Sequence, residues 1–466
     1  MEIQAGGLTT VLIQLAYLVA SVLFIVGLKR LSSPATARGG NMLGAAGMLL
    51  AIVATLAYGG LDWTWILVGL VIGTGIGAFL ARWVQMTAMP QMVAVFNAFG
   101  GGASALVAAA EFLKPETAGA PFDVSLTIVL SVLIGSVTFS GSFIAWAKLE
   151  GHFEKPFTYP GQQIFNALLF IALIGVGAWI TIEPGAPLNL FVVLAVLSLV
   201  FGVLFVMPIG GADMPVVVAL LNSYSGLAAS AAGFVLSNNV LIIAGALVGA
   251  SGLILTNIMC RAMNRSLANV LFSAFGSQTV AAAAGDGVAK IVKEITAEDA
   301  AVLMSYSDSV VVIPGYGLAV AQAQHQAREL ADLLGEKGVD VKFAIHPVAG
   351  RMPGHMNVLL AEANVPYDQL YEADTVNSEM ERTDVALIIG ANDVVNPDAR
   401  TNEASPLWGM PIINADYARN TIVMKRSLNP GFAGTDNPLF YKDNNRMLFG
   451  DAKKMLTALV AELKKT

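Results

Sequence analysis

The chain has 466 residues, of which 56% are hydrophobic and only 13% are charged, and its formal net charge is −7 at pH 7. Soluble domains carry about 25% charged residues, so the composition excludes an ordinary soluble enzyme, and the acidic balance excludes a basic nucleic-acid binder. The single cysteine, Cys260, excludes a disulfide framework, and we expect no metal site.

The charged residues are unevenly distributed along the chain. Residues 1–265 hold 9 basic and 9 acidic residues, whereas the last 201 residues hold 17 basic and 24 acidic residues. Between them, the stretch from Ser266 is first rich in Ala, Gly and Ser and then charged. We therefore predict a transmembrane domain at 1–265, a linker at 266–300 and a soluble domain at 301–466.

Nine windows in the first part are uncharged, apolar and about 20 residues long, which is the length that a helix needs to cross a bilayer. They are Leu8–Leu28, Met42–Tyr58, Thr64–Ala81, Met89–Ala110, Val124–Ala147, Phe165–Ile182, Leu188–Met207, Met214–Leu236 and Val240–Cys260. The first window lacks the basic start of a cleaved signal, so we expect it to remain in the mature protein.

Eight basic residues near these windows fall in one alternating set of loops or just past the last window, whereas the other set offers only Lys114, beside Glu111, Glu116 and Asp123. The eight are Lys29, Arg30, Arg38, Arg82, Lys148, Lys155, Arg261 and Arg265. Because basic loops stay in the cytoplasm, the pattern predicts an outside N-terminus and a cytoplasmic C-terminal domain.

A short repeat marks the fourth and eighth windows. The segment Met89–Asn97 (MPQMVAVFN) returns 125 residues later as Met214–Asn222 (MPVVVALLN). An even number of crossings separates the copies, so the two helices run in the same direction. An amide in hydrocarbon needs a partner or water, so Asn97 and Asn222 make either an interhelical hydrogen bond or part of a polar pathway, and their matched positions favour the pathway.

Asp213 directly precedes the eighth window and is the only carboxylate in its loop. It is either the N-cap of the helix or a further member of the pathway.

The soluble part opens with a strand-like run, Ser309–Ile313, followed by Gly315 and Gly317 and an apolar-periodic helix through Leu334. Glycines at such a turn let a helix N-terminus approach a pyrophosphate. The third position of the fingerprint is Val320 instead of Gly or Ala, so this motif is weak by itself.

Four more strand-like runs and a closing helix predict an α/β domain with a parallel, Rossmann-like sheet. The runs are Val341–Ile345, Ala386–Ile389, Pro411–Ile413 and Thr421–Met424, and the helix is Ala452–Leu463. His346 follows the second strand where an NAD site has an acid, which weakens an NAD interpretation. Lys425-Arg426-Ser427 follows the last predicted strand and favours a 2′-phosphate over a solvated basic pair.

Several long motifs of the tail resemble one known family. They are Gly315–Gln322 (GYGLAVAQ), His346–Asn357 (HPVAGRMPGHMN), Gly390–Asp393 (GAND), Lys425–Ser427 (KRS) and Gly431–Gly434 (GFAG). With the nine spans and the repeat, they make the whole chain similar to the β subunit of the proton-translocating NAD(P) transhydrogenase.

The resemblance implies an Si-Re (AB-specific) transhydrogenase in a bacterial inner membrane. This chain would bind NADP(H), while a partner α subunit would carry the NAD(H) domain and further spans, in a dimer of αβ units surrounded by lipid. Hydride would pass directly between the two nucleotides, coupled to proton translocation, and no nucleic acid would be involved.

The resemblance also implies which residues surround the nucleotide. They are Gly315, Tyr316, Gly317, Val320, Ala321, Gln322, His346, Arg351, Gly390, Asn392, Asp393, Lys425, Arg426, Ser427, Gly431, Phe432 and Ala433. Gly315, Gly317 and Val320 would line the pyrophosphate, Lys425–Ser427 would hold the 2′-phosphate, and Gly431–Gly434 would be a lid. None acts as a nucleophile or acid–base group, but Asp393 is a candidate for coupling nucleotide binding to protonation.

Two positions depart from the family pattern. Phe432 stands where many members have Tyr, and Asn97 stands where many have His. An amide does not titrate near neutral pH, and the four histidines all lie outside the predicted spans. We therefore expect a partner-subunit helix to supply a titratable group near Asn97 and Asn222.

Two other classes of protein share some of these sequence features. A secondary transporter whose Rossmann-like domain only senses nucleotide suits the repeat and the Gly-rich spans, but no span holds an ionisable residue for substrate coupling. An anchored, self-contained dehydrogenase is disfavoured because no segment remains for a substrate domain.

Overall fold

The computed structural model describes residues 2–57, 61–85, 88–114, 121–153, 157–183, 185–272 and 291–465, without the side chains of residues 2–8 and 212. The chain divides into two compact units, Met1–Gly211 with Val217–Thr256 and Ala212–Val216 with Asn257–Thr466. Tyr58, Lys155 and residues 273–290 of the predicted linker lie outside the described residues.

Within the described ranges, nine helices are long and apolar enough to cross a membrane, as the sequence predicts. They are α1 (Glu2–Leu31), α2 (Pro34–Leu56), α3 (Trp63–Trp83), α4 (Met89–Phe112), α5 (Phe122–Glu150), α6 (Gln162–Ile182), α7 (Leu188–Val206), α8 (Met214–Val235) and α9 (Asn239–Ala262). A short helix, α10 (Leu267–Phe272), follows them.

Small residues bring some of these helices close together. A Cβ added at Gly226 of α8 would lie 2.4 Å from the backbone nitrogen of Gly249 on α9. The same two helices are joined by Ser223, whose Oγ donates to the Gly249 carbonyl at 2.6 Å.

The C-terminal domain is an α/β fold. Its elements are α11 (Ala297–Ser305), β1 (Ser309–Pro314), α12 (Tyr316–Val320), α13 (Gln324–Glu336), β2 (Asp340–Ile345), α14 (His355–Glu362), β3 (Leu370–Glu372), α15 (Ala373–Asn377), β4 (Val385–Ile389), α16 (Asp398–Thr401), β5 (Asn420–Lys425), β6 (Asn445–Phe449) and α17 (Ala452–Leu463). All six strands are parallel, in the order β3-β2-β1-β4-β5-β6, which confirms the predicted class.

The core of this domain lies on both faces of the sheet. Strand β4 is buried at all five of its residues, and Val312 of β1 pairs in register with Phe343 on one side and Leu387 on the other. Strands of a parallel sheet are covered by helices on both faces, which explains these continuous apolar runs. Ahead of α11, the Ile295 amide donates to the Met447 carbonyl at 3.0 Å, so the chain runs beside β6 there.

Three details of the predicted domain were wrong. Pro411–Ile413 belongs to no strand, because its backbone groups bond outside the sheet: Asn377 Nδ2 donates to the Ile412 carbonyl at 2.8 Å, and the Ile413 amide donates to the Val394 carbonyl at 2.9 Å. The strands β3 and β6 were missed, so Lys425 ends the fifth of six strands. The helix expected to run through Leu334 is broken between α12 and α13, where Gln322 has a φ of 49°.

Candidate functional site

The turns after β1 and β4 meet at the carboxyl edge of the sheet, where the strand order changes direction. The Gly315 amide donates to the Ile389 carbonyl at 2.8 Å, and the Gly317 amide donates to the Gly390 carbonyl at 2.9 Å. Gly390 has a φ of 65°, and a Cβ added there would lie 2.4 Å from Gly317 Cα. The glycines therefore shape the crevice by letting two backbones touch, and these two amides are already used within the domain.

The segment Gly431–Gly434, which follows β5 and which we call the lid segment, is hydrogen-bonded to the loop after β4. The backbone amide of Ala433 donates to Asp393 Oδ2 at 3.0 Å. With its amide oxygen facing the donors, Asn392 accepts from the Gly431 amide at 2.6 Å. Burial raises the pKa of Asp393, while the amide of Ala433 and the charge of Lys425 act in the opposite direction. Any movement of the lid segment therefore changes the surroundings of this carboxyl group.

Lys425 and Arg426 stand at the end of β5, as the sequence predicts. Lys425 Nζ donates to the Asn429 carbonyl, lies 3.2 Å from the Asn392 amide oxygen and sits over the Phe440 ring. Burial lowers the pKa of Lys425, and the charge of Asp393 raises it. Arg426 is exposed and has no ion-pair partner in the described part of the chain. This edge of the sheet thus carries one half-buried and one open cation, with Ser427 beside them.

An aromatic group joins the turn after β1, the loop after β2 and the lid segment. The Tyr316 ring lies 4.6 Å from the Arg351 guanidinium, and its centroid is 6.4 Å from that of Phe432 and 6.3 Å from that of His355. Burial raises the pKa of Tyr316, partly offset by Arg351. The sequence alone gave no reason to place Tyr316, Arg351 and Phe432 in contact.

His346 has a different environment from the other residues of the candidate site. Its Nε2 lies 2.7 Å from the Pro411 carbonyl, to which it donates, and its Nδ1 accepts from the Val348 amide at 3.3 Å. Burial lowers the pKa of this ring. Both nitrogens therefore bond to backbone groups, and the ring anchors the 411–413 segment. Val320 and Gln322, at and after the end of α12, are exposed.

In the membrane unit, the two asparagines of the repeat come together. Asn222 Nδ2 donates to Asn97 Oδ1 at 3.4 Å, Asn97 Nδ2 donates to Ser142 Oγ at 2.9 Å, and Ser225 Oγ donates to the Asn97 carbonyl at 3.2 Å. We call these four residues the Asn97 cluster; it links α4, α5 and α8. The interhelical hydrogen bond that the sequence left open is therefore present. Ser142 and Ser225 were missed because a single serine in a span gives no sequence signal.

Asp213 does not stand alone before α8. It ends a 3-10 turn, Gly211–Asp213, and both of its carboxylate oxygens lie 2.7 Å from Arg265 Nη1. The side chain of Asp213 is only 10% exposed. The carboxylate is thus held in an ion pair, an arrangement that neither sequence alternative included.

The fold and the candidate site first define the class of protein to which this chain belongs. The described residues include nine helices that can cross a membrane and a parallel, Rossmann-like sheet with a glycine turn at its switch point, so this is a multi-pass membrane protein with a Rossmann-like domain. The family model described as NAD(P) transhydrogenase beta subunit matches residues 13–462. Two relatives named NAD(P) transhydrogenase subunit beta, from Rhodospirillum rubrum and from one of its strains, are each 49% identical over 454 residues, covering 96% of this chain and 97% of theirs.

The chain therefore belongs to the NAD(P) transhydrogenase beta subunit family. Membership makes it part of an oxidoreductase that uses nicotinamide nucleotides and includes an alpha subunit.

Proposed function

We propose that the C-terminal domain binds NADP(H) and that hydride passes directly between this nucleotide and NAD(H) on the partner α subunit. The observation that carries the proposal is the convergence at one sheet edge of the glycine turn after β1, the Asn392–Asp393 loop after β4, Lys425 and the lid segment. Open parallel sheets bind ligands in this crevice, at the switch point of the strand order.

NADP(H) fits this crevice better than NAD(H). After β2, where an NAD site has an acid for the ribose, this chain has His346, whose two ring nitrogens are occupied. Lys425 and Arg426 instead offer two cations after β5, and cations suit a 2′-phosphate. We therefore place the 2′-phosphate at Lys425, Arg426 and Ser427. The resemblance to the family implies the same arrangement, with the nucleotide bound in the reverse of its orientation in ordinary dehydrogenases.

The remaining candidate residues line the rest of the nucleotide. The pyrophosphate lies against the turn and helix that run through Tyr316 and Val320 to Gln322, with Gly390 opposite. The nicotinamide ring supplies the hydride chemistry when bound, and no nucleophile of the chain takes part. Phe432 is 59% exposed on the lid segment, where it covers the nucleotide and excludes water. The transfer has AB stereospecificity.

Proton coupling is proposed to use both units of the chain. Asp393 lies under the lid segment, so nucleotide binding that moves this segment changes the proton affinity of the carboxyl group. In the membrane unit, the Asn97 cluster orders part of the proton pathway, and Asp213 is a further member of that pathway. Because amides do not titrate, a histidine or carboxylate on a span of the α subunit carries the proton beside Asn97 and Asn222.

The loop charges support the topology stated above, with the C-terminal domain in the bacterial cytoplasm and the spans in the inner membrane. We propose that two αβ units form the complete enzyme, with lipid around the spans.

Calorimetry on the full-length chain in detergent tests the nucleotide assignment. The wild type should prefer NADPH to NADH, and Lys425→Ala with Arg426→Ala should lower NADPH affinity by at least about tenfold, because a charge-assisted hydrogen bond contributes about 1.5–3 kcal/mol. NADH affinity should not change. A control with Lys464→Ala and Lys465→Ala removes two exposed cations at the far end of α17 and should keep the preference. An unchanged preference in the first variant would place the 2′-phosphate elsewhere.

A further inference from the structure

His355 is a buried histidine at the start of α14, and only one of its two ring nitrogens has a hydrogen-bond partner among the described residues. The residue is 1% exposed, and its Nδ1 accepts a hydrogen bond from the Arg351 amide at 3.0 Å. A neutral imidazole that accepts at Nδ1 carries its proton on Nε2. His355 Nε2 is buried and has no hydrogen-bond partner among the described residues.

An unpaired buried donor is costly, typically by about 1–3 kcal/mol, and such groups are rare in folded proteins. His346 shows the ordinary solution in the same domain, because both of its nitrogens bond to backbone groups. His355 differs in that only the nitrogen nearer its own loop is satisfied. The other nitrogen, Nε2, therefore calls for a partner that is not among the described residues.

The position of His355 identifies that partner. Its ring lies 6.3 Å from the Tyr316 ring, which in turn contacts Arg351 and faces Phe432 of the lid segment. Tyr316 belongs to the turn after β1, where the pyrophosphate is placed above. Burial and the charge of Arg351 both lower the pKa of His355, so the ring is neutral and remains a donor at Nε2 near pH 7.

We propose that His355 is a further nucleotide-binding residue, whose Nε2–H donates a hydrogen bond to a pyrophosphate oxygen of NADP(H). This inference rests on the proposed function of the domain. Arg351 contributes its backbone amide to fix the His355 ring and its guanidinium to support Tyr316, so this loop and the turn after β1 hold the pyrophosphate from two sides.

Two substitutions separate the two ring nitrogens. In His355→Gln the amide nitrogen reaches the place of Nε2, so the donor to the nucleotide is kept and the acceptor for the Arg351 amide is lost. In His355→Asn the amide oxygen replaces Nδ1, so the hydrogen bond from the Arg351 amide is kept and the Nε2 donor is lost. NADPH affinity and thermal stability are measured on the full-length chain in detergent for both variants and the wild type.

We expect His355→Asn to bind NADPH about tenfold more weakly than the wild type, and His355→Gln to stay within about threefold of it, although His355→Gln is the less stable without nucleotide. Equal NADPH affinity in the wild type and both variants would overturn the role of His355 and leave the proposed function intact. A wild type that does not bind NADPH would overturn the proposed function itself.

A structure of the NADPH complex tests the same point without any substitution. It should show a pyrophosphate oxygen within hydrogen-bond distance of His355 Nε2. A water molecule bonded only to protein groups at that position, or no partner at all, would refute the proposal.

Discussion

The contact between the turns after β1 and β4 makes Gly390→Ala a sharp test of how the crevice is built. Gly390 has a φ of 65°, and the left-handed conformation costs alanine about 1–2 kcal/mol. The new Cβ would also lie 2.4 Å from Gly317 Cα and 2.7 Å from its carbonyl carbon, both backbone atoms that cannot rotate away. Overpacking of this kind costs about 1–3 kcal/mol, so the expected total loss is about 2–5 kcal/mol.

Gly338 provides the matched control for this substitution. Its φ is 88°, and a Cβ added there would meet no atom within 4 Å, so Gly338→Ala should cost only the conformational term of about 1–2 kcal/mol. Urea unfolding of a fragment comprising residues 291–466 measures both losses through Trp408, the only tryptophan in that fragment. We expect NADPH affinity to fall in Gly390→Ala but not in Gly338→Ala. Equal loss of stability in the two variants would refute the close contact between the turns.

Four further substitutions are expected to have the following outcomes. Burial raises the pKa of Asp393 above its usual value of 3.8. The wild type should therefore lose stability relative to Asp393→Asn as the pH rises above 3.8. A difference in unfolding free energy between the two proteins that stays constant across the pH series would contradict this. Asn222→Ala removes a hydrogen-bond donor to Asn97 and should impair proton pumping in vesicles more than it impairs NADPH binding. Asn97→His should retain proton pumping. Normal pumping in Asn222→Ala would exclude Asn222 from the proton pathway. His346→Phe leaves the Pro411 carbonyl and the Val348 amide unpaired and should lower the free energy of unfolding by about 2–5 kcal/mol. An unchanged free energy of unfolding would show that neither hydrogen bond contributes to stability.

Periodic and repeated features of the fold were predictable from the sequence. The nine apolar windows correspond to nine helices in the part of the chain that the structure describes. The Met-Pro repeat pointed to Asn97 and Asn222, which the structure joins. The glycine turn after β1 was also recognised, although its glycines pack against β4 and do not offer their own amides.

Features that depend on tertiary contacts were not predictable. Pro411–Ile413 has the composition of a strand, but the side chains of Asn377 and His346, which lie outside the sheet, donate hydrogen bonds to its carbonyl groups. β3 has only three residues, and β6 includes polar Asn445 and Arg446, so neither resembles a buried strand. The bond from the lid segment to Asp393 and the unpaired nitrogen of His355 arise where distant loops meet.

Isotope transfer tests the central proposal most directly. The chain is reconstituted with its α subunit, and NADH carrying deuterium on the A face of C4 is mixed with NADP⁺. If hydride passes directly between NAD(H) on the partner and NADP(H) on this chain, the deuterium should appear on the B face of C4 of NADPH with none released to water. Deuterium lost to solvent, or found on the A face, would contradict direct AB-specific transfer.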